Sequence, residues 1–289
     1  MIDPSRTRLA DEAGEDTEII HRNAEKRRLV LFFALAFVAS WLLWMPLVAS
    51  SRNWIAGPAP FLLFYLGAAG PALAAIVLSG LDHGKRGVWS LLSRLAVWRV
   101  HPKWYLIALL LPGAVRFIAF ALLYLSGYVR SDVSFRKWPE LVGIFLLMLI
   151  LVPLEELGWR GYALPKLQKI SGAIRASLIL GIMWSFWHLP LVWVKGSYQE
   201  SPSPSTYILI FTVSILPISV LFTWLYNRTK GSLLHASIFH AAINLTESAL
   251  IIRESEGILV ILTASVLYSA MVCAVVAFRS LETAPVGRR

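Results

Sequence analysis

The sequence predicts an all-α fold, a polytopic bundle of about eight transmembrane helices with both termini in the cytoplasm. Of the 289 residues, 57% are hydrophobic and only 15% are charged, and the mean hydropathy is +0.65. A chain this apolar cannot hide all of its surface in one soluble core. Apolar runs of roughly 20 residues recur along the whole chain, and such a run crosses a bilayer about 30 Å thick only as a helix.

The eight predicted spans are apolar runs bounded by charged residues, Gly, Pro or Ser. They are 29–50, 55–80, 104–127, 140–162, 176–195, 206–226, 232–252 and 258–278. Residues 1–28 mix acids and bases without apolar periodicity, so they are predicted to be a polar, mobile tail. The transmembrane domain is then 29–278, and 279–289 form a short C-terminal tail.

The basic residues indicate the orientation of the bundle. The net charge is +10, and most Lys and Arg residues lie between the apolar runs, where they act as topology signals and do not indicate nucleic-acid binding. With a cytoplasmic N-terminus, the inner connections carry Lys85, Arg86, Arg94, Arg99, Lys103, Lys166, Lys169, Arg175, Arg228 and Lys230. The outer connections carry Arg52, Arg130, Arg136, Lys137 and Arg253. The single cysteine, Cys273, excludes a disulfide framework.

The fourth span contains two adjacent carboxylates inside an apolar run. Ionisable residues in a membrane span are costly, so they indicate function. Glu156 and Arg160 are four residues apart and are predicted to pair on one helix face. Glu155 is rotated by about 100° from Glu156 at 3.6 residues per turn, so it faces a different partner.

Two later spans contribute imidazoles. His188 lies near the middle of the fifth span among aromatic residues, and His240 and Asn244 share one face of the seventh. At about 1.5 Å per residue, Glu155, His188 and His240 lie roughly 10, 18 and 12 Å from the inner boundary. We therefore predict that they meet in one cavity in the inner half of the membrane.

This combination of groups suits hydrolysis. A buried carboxylate beside an imidazole can activate water, and His240 and Asn244 offer donors of the type that stabilises an oxyanion. The residues alone leave open a structural polar network or a proton pathway.

Three motifs in these spans resemble the CPBP intramembrane proteases, the family of CAAX proteases and bacteriocin-processing proteins that includes the Ras-converting prenyl-protein endopeptidase. The resemblance covers about residues 140–250. Two glutamates followed after three residues by arginine are present at Glu155, Glu156 and Arg160, and histidine followed after three residues by asparagine at His240 and Asn244. The second motif, phenylalanine and histidine separated by three residues, departs from the pattern.

The departure lies four residues before His188, where this chain has Trp184 in place of phenylalanine. Trp184 keeps a large aromatic ring on the face of the histidine. We therefore expect a pocket of altered shape with its chemistry retained.

The resemblance implies an endopeptidase that cleaves near the C-terminus of a membrane-associated substrate, with a peptide or a prenylated protein tail as partner. Glu155 and His188 would activate water, His240 and Asn244 would form the oxyanion site, and Glu156 and Arg160 would support them. No cofactor is favoured. The alternative is zinc or another divalent metal held by Glu155, His188 and His240.

Two other functions stay open beside proteolysis. Some members of the family are thought to act in bacteriocin self-immunity or as membrane scaffolds. A proton-coupled transporter is disfavoured because the candidate carboxylates lie in the inner half of the spans.

The expected partners include membrane lipids and do not include nucleic acid. A bacterial plasma membrane is the predicted location.

Overall fold

The computed structural model describes residues 4–130, 134–195, 197, 199, 204–251, 254–277 and 281, with side-chain contacts from Arg22 onward. This part of the chain is helical except for short connections and two two-residue strands. The elements are α1 Pro4–Ser51, α2 Leu62–Gly67, α3 Gly70–Leu92, a 3₁₀ helix Ser93–Ala96, α4 Lys103–Leu125, β1 Ser134–Phe135, α5 Trp138–Glu156, a π-helix Leu157–Ala163, α6 Leu164–Trp187, a 3₁₀ helix Leu189–Trp193, α7 Pro204–Arg228, α8 Leu233–Ala249, β2 Leu250–Ile251 and α9 Glu254–Ala277.

Six helical stretches of the described chain are long and apolar enough to cross a bilayer. One of them, Trp138–Trp193, contains the fourth predicted span and all but the last two residues of the fifth. The seventh predicted span corresponds to α8, which has 17 residues. The all-α membrane architecture is therefore confirmed, while the count of eight spans and the side on which each terminus lies stay predictions.

The outer surface of the bundle is apolar. Large hydrophobic side chains such as Leu42, Leu125 and Ile150 are at least 70% exposed, which in water would be an unusually large apolar surface. The interior is packed by aromatic residues, among them Phe32, Trp159 and Trp187, which are at most 1% exposed. Such a distribution fits a protein whose outer face contacts lipid.

The N-terminal segment is helical, which the sequence did not indicate. Residues 4–28 form the first half of α1 and run directly into its apolar part, while their separation as a polar tail stays a prediction. Ion pairs hold the part of α1 that precedes the apolar run: Lys166 Nζ lies 2.8 Å from Glu25 Oε2, and Arg28 Nε lies 2.8 Å from Asp82 Oδ1. Two residues of this charged segment, Arg28 and Glu25, thus connect α1 to α3 and to α6.

Other predicted boundaries also shift. Residues 55–61 of the predicted second span are not helical, because Pro58 and Pro60 lack the N–H that a helix interior needs. The antiparallel pair of β1 and β2 was not predicted. Arg253 lies outside the described residues, as does the C-terminal segment 278–289 except for Leu281, whose carbonyl accepts a hydrogen bond from Asn227 Nδ2 at 3.1 Å.

The fourth span is interrupted where its carboxylates lie. The sequence predicts one helix over 140–162, whereas α5 ends at Glu156 and the π-helix follows. Gly158 permits this turn to lie against α3, because a Cβ there would be 2.6 Å from the Pro71 carbonyl oxygen. Arg94 Nη1 donates to the Gly161 carbonyl at 3.0 Å. A π-turn of this kind often occurs at a functional site.

Candidate active site

Glu156 lies at the centre of a fully buried charged cluster. Its Oε1 accepts hydrogen bonds from Arg160 Nη1 at 2.9 Å and His240 Nδ1 at 2.8 Å. The Glu156 and Arg160 side chains are 0% and 1% exposed. The predicted pairing of Glu156 with Arg160 is thus present, and it also connects α5 to α8.

Aromatic faces complete the environment of Arg160. Its guanidinium carbon lies 4.4 Å from the ring centre of Trp184 and 3.7 Å from that of Phe222. Arg160 Nε and Nη2 and Glu156 Oε2 are buried without a hydrogen-bond partner among the described residues. The ring faces provide cation–π stabilisation that offsets part of this cost.

The contact with Glu156 fixes the orientation of the His240 imidazole. Because an ionised carboxylate only accepts hydrogen bonds, the Nδ1 atom of His240 carries the proton. Nε2 then presents a lone pair when the ring is neutral and a donor when the ring is protonated. His240 can therefore serve as an oxyanion donor from Nε2 only as an imidazolium.

Glu155 faces a different partner, as the helical rotation predicted. Its Oε2 accepts a hydrogen bond from Trp184 Nε1 at 3.2 Å. Glu155 is half-buried, whereas Glu156 is fully buried. Of the two adjacent carboxylates, Glu155 is therefore the one that a water molecule or a substrate can reach.

His188 lies at the C-terminal end of α6, within the apolar stretch Trp138–Trp193. The α-helix ends at Trp187, and a 3₁₀ helix begins at Leu189, because Pro190 cannot continue the hydrogen-bonding pattern of an α-helix. The Nδ1 atom of His188 donates to the Trp184 carbonyl at 2.8 Å. Its Nε2 consequently carries the lone pair of the neutral ring.

Asn244 shares a helix face with His240, but its amide has a separate contact. Asn244 Nδ2 lies 3.4 Å from the sulfur of Met148 on α5. A thioether is a weak hydrogen-bond acceptor, so the amide can leave it for a stronger acceptor at a small cost in free energy. The structure therefore brings Asn244 to the same helix interface without pairing it with the other candidate residues.

Trp184 is the residue that the candidates share. Its indole Nε1 donates a hydrogen bond to Glu155, and its main-chain carbonyl accepts one from His188. Its ring lies 5.1 Å from the His240 ring in an edge-to-face arrangement. Sequence reasoning treated Trp184 only as an aromatic substitute. The N–H donor of its indole could have indicated a hydrogen bond to a carboxylate. No sequence pattern indicated that Phe222 contacts Arg160.

The side-chain positions bear on the alternative metal site. In the described part of the chain, no three His, Cys, Asp or Glu side chains are grouped so that they could hold one metal ion. Glu155, His188 and His240 instead each contact Trp184. The metal alternative stays a prediction, and no catalytic step is assigned to a metal.

A second charged pair lies elsewhere in the bundle. Arg116 Nη1 on α4 is 3.8 Å from Glu247 Oε1 on α8, and both side chains are largely buried. The pair borders a cavity that Tyr268 also lines. Glu247 belongs to the outer half of the predicted seventh span, 232–252, and was not among the candidate carboxylates.

The fold and the site define an integral membrane protein with a carboxylate, indole and imidazole cluster inside its helical bundle. The sequence model of the type II CAAX prenyl endopeptidase Rce1-like family matches residues 137–246, which include all of this cluster. The chain is also 30% identical over 236 residues to CAAX prenyl protease 2 of Methanococcus maripaludis, an alignment that covers 79% of this chain and 87% of that protein. The chain belongs to the Rce1-like CAAX prenyl endopeptidase family, and the predicted resemblance is confirmed.

Proposed function

We propose that the chain is an intramembrane endopeptidase that hydrolyses a peptide bond near the C-terminus of a membrane-associated substrate, in particular a prenylated protein tail. The observation that carries this proposal is the meeting of Glu155, His188 and His240, from three separate helices, around Trp184. Membership of a CAAX prenyl endopeptidase family supports the substrate class.

Glu155 and His188 are proposed to activate the attacking water. Glu155 is the reachable carboxylate, and one of its oxygens stays available when Oε2 is bound to Trp184. The Nε2 lone pair of His188 can hold or relay the proton that the water loses. The proton then passes to the leaving amine, so that the base acts as an acid in the second half of the reaction.

His240 and Asn244 are proposed to stabilise the oxyanion. His240 donates from Nε2 as an imidazolium, which the Glu156 carboxylate stabilises through Nδ1. Asn244 donates from its amide after it leaves the Met148 sulfur. Glu156 and Arg160 support these groups and do not contact the substrate.

The test is cleavage of a quenched fluorescent peptide library that includes farnesylated C-terminal peptides, with protein purified in detergent. Wild type is compared with Glu155→Gln, each with and without a chelator. Glu140→Gln is the matched control, because it makes the same change at a surface carboxylate of α5 that pairs with Arg136. We expect cleavage by wild type and by the control, unaffected by the chelator, and none by Glu155→Gln.

The outcomes separate the alternatives. Equal cleavage by Glu155→Gln and wild type would contradict the role of Glu155. If no folded form cleaves any peptide, a membrane scaffold or bacteriocin-immunity function becomes the better account. Loss of activity with the chelator would contradict a metal-free reaction. Location in a bacterial plasma membrane stays a prediction, since the Methanococcus relative is archaeal.

A further inference from the structure

Trp184 combines a departure from the family motif with a specific polar contact. The motif has phenylalanine at this position, and phenylalanine has no hydrogen-bond donor in its side chain. In this chain the indole Nε1 donates to Glu155 Oε2 at 3.2 Å, and Trp184 is only 4% exposed. The substitution therefore adds a partly buried hydrogen bond to the carboxylate that is proposed to activate water.

The indole cannot easily leave this position. Its ring lies edge-to-face with Phe222 at 5.7 Å and with His240 at 5.1 Å, and the Arg160 guanidinium covers it at 4.4 Å. Close packing on several sides limits a buried side chain to one rotamer. The donor is consequently held in a fixed place from which it determines the direction of the Glu155 carboxylate.

We propose that Trp184 is a positioning residue, whose indole N–H holds Oε2 of Glu155 so that the other carboxylate oxygen is directed toward the attacking water. This role rests on the proposed endopeptidase function and deepens it. A carboxylate held by one donor loses rotational freedom, and a well-oriented base transfers protons faster than a mobile one. Trp184 itself does not touch the reacting atoms.

The experiment compares Trp184→Phe with Trp44→Phe. The first variant restores the aromatic residue of the motif and removes only the donor and part of the ring. Trp44 is a matched control because it is 1% exposed and its Nε1 donates to the Phe64 carbonyl at 3.0 Å, away from the carboxylates. We expect Trp184→Phe to lower kcat about tenfold with KM changed less than about twofold, the size of effect typical of one hydrogen bond to a charged group. Trp44→Phe should leave both constants within about twofold of wild type.

A second measurement does not depend on cleavage. Melting temperatures of Trp184→Phe, Glu155→Leu and the double variant form a cycle that isolates the interaction between the two side chains. We expect the two changes to be non-additive, whereas Trp44→Phe combined with Glu155→Leu should be additive. The cycle reports on the contact even if no substrate is cleaved.

The combined outcomes decide the proposal. Additive melting shifts for Trp184 and Glu155 would overturn it, because the hydrogen bond would then be absent. Non-additive shifts with unchanged kcat, or with an equal loss of activity in Trp44→Phe, would also overturn it, because the bond would be purely structural. If the wild type cleaves nothing, both the endopeptidase function and the positioning role are contradicted. The melting-temperature cycle still shows whether the contact between Trp184 and Glu155 is present, so the two failures can be distinguished.

Discussion

The Nδ1 atom of His240 lies 2.8 Å from Oε1 of Glu156, the same oxygen that accepts a hydrogen bond from Arg160. This oxygen thus receives one hydrogen bond from the turn that follows Glu156 and one from His240 on α8, which is 84 residues further along the chain. All three side chains are nearly or fully buried. The consequence is that a substitution at Glu156 affects both the orientation of His240 and the charge balance of Arg160.

Glu156→Gln is expected to lower the free energy of unfolding by about 3 kcal/mol, because it leaves the buried guanidinium without a counter-charge. It should also lower kcat at least about tenfold, because a neutral amide stabilises the His240 imidazolium less than a carboxylate does. Unfolding by SDS titration and peptide cleavage measure the two effects. Glu140→Gln should change neither by much, since exposed pairs contribute less than about 1 kcal/mol. Equal stability of the two variants would contradict the charged cluster.

The side-chain contact of His188 leads to a separate prediction. His188→Asn keeps a donor where Nδ1 now binds the Trp184 carbonyl but removes the Nε2 lone pair. We expect kcat to fall at least about a hundredfold, as is typical when a general base is lost, with an unchanged melting temperature. His101→Asn, at an exposed histidine, is the control and should cleave normally. Near-normal cleavage by His188→Asn would exclude Nε2 from proton transfer.

The Arg116 and Glu247 pair is expected to stabilise the fold without taking part in cleavage. Glu247→Gln should lower the free energy of unfolding by about 2 kcal/mol, because the pair is largely but not fully buried. Its kcat should stay within about threefold of wild type. The double variant Arg116→Met with Glu247→Leu should recover stability, since removing both charges leaves neither unpaired. Loss of all function with intact stability would instead favour a proton pathway through Glu247.

The close approach of Gly158 to Pro71 predicts a steric effect. Gly158→Ala should lower the free energy of unfolding by about 1–3 kcal/mol, because the new Cβ would overlap main-chain atoms that cannot move aside easily. Gly143→Ala is the matched control, because a Cβ there meets open space, on the preceding helix α5. That change should be neutral or slightly stabilising, given the higher helix propensity of alanine. Equal effects of the two substitutions would show that the π-helical turn can move away from α3.

Apolar run length and charge spacing predicted most of the fold and much of the site. The pairing of Glu156 with Arg160, and the separate direction of Glu155, followed from helical spacing alone. The end of α6 at His188 could also have been read from Pro190. The π-helix could not be predicted from the sequence. In this segment Gly158 packs against Pro71, a residue of α3 that is distant in the sequence.

Contacts between residues that are distant in the sequence also could not be predicted. Glu25 at the polar end of α1 pairs with Lys166, and nothing local in the sequence of that segment indicates this contact. Glu247, the partner of Arg116, was missed for a different reason: it is visible in the sequence but was overlooked within its predicted span. The contact of Trp184 with Glu155 required knowledge of how α5 and α6 lie against each other.

The π-helix at Leu157–Ala163 also affects how this region tolerates changes in length. A π-turn uses i to i+5 hydrogen bonds and so holds about one residue more than an α-turn, which places the side chains after Ala163 about 100° out of phase with a continuous α-helix. Deleting one residue from this segment would therefore let the π-turn close to an α-turn, with Leu164 and its neighbours in their present orientation and Glu155 in place. For protein engineering, this segment is a place where the chain can lose one residue without a change in the register of α6.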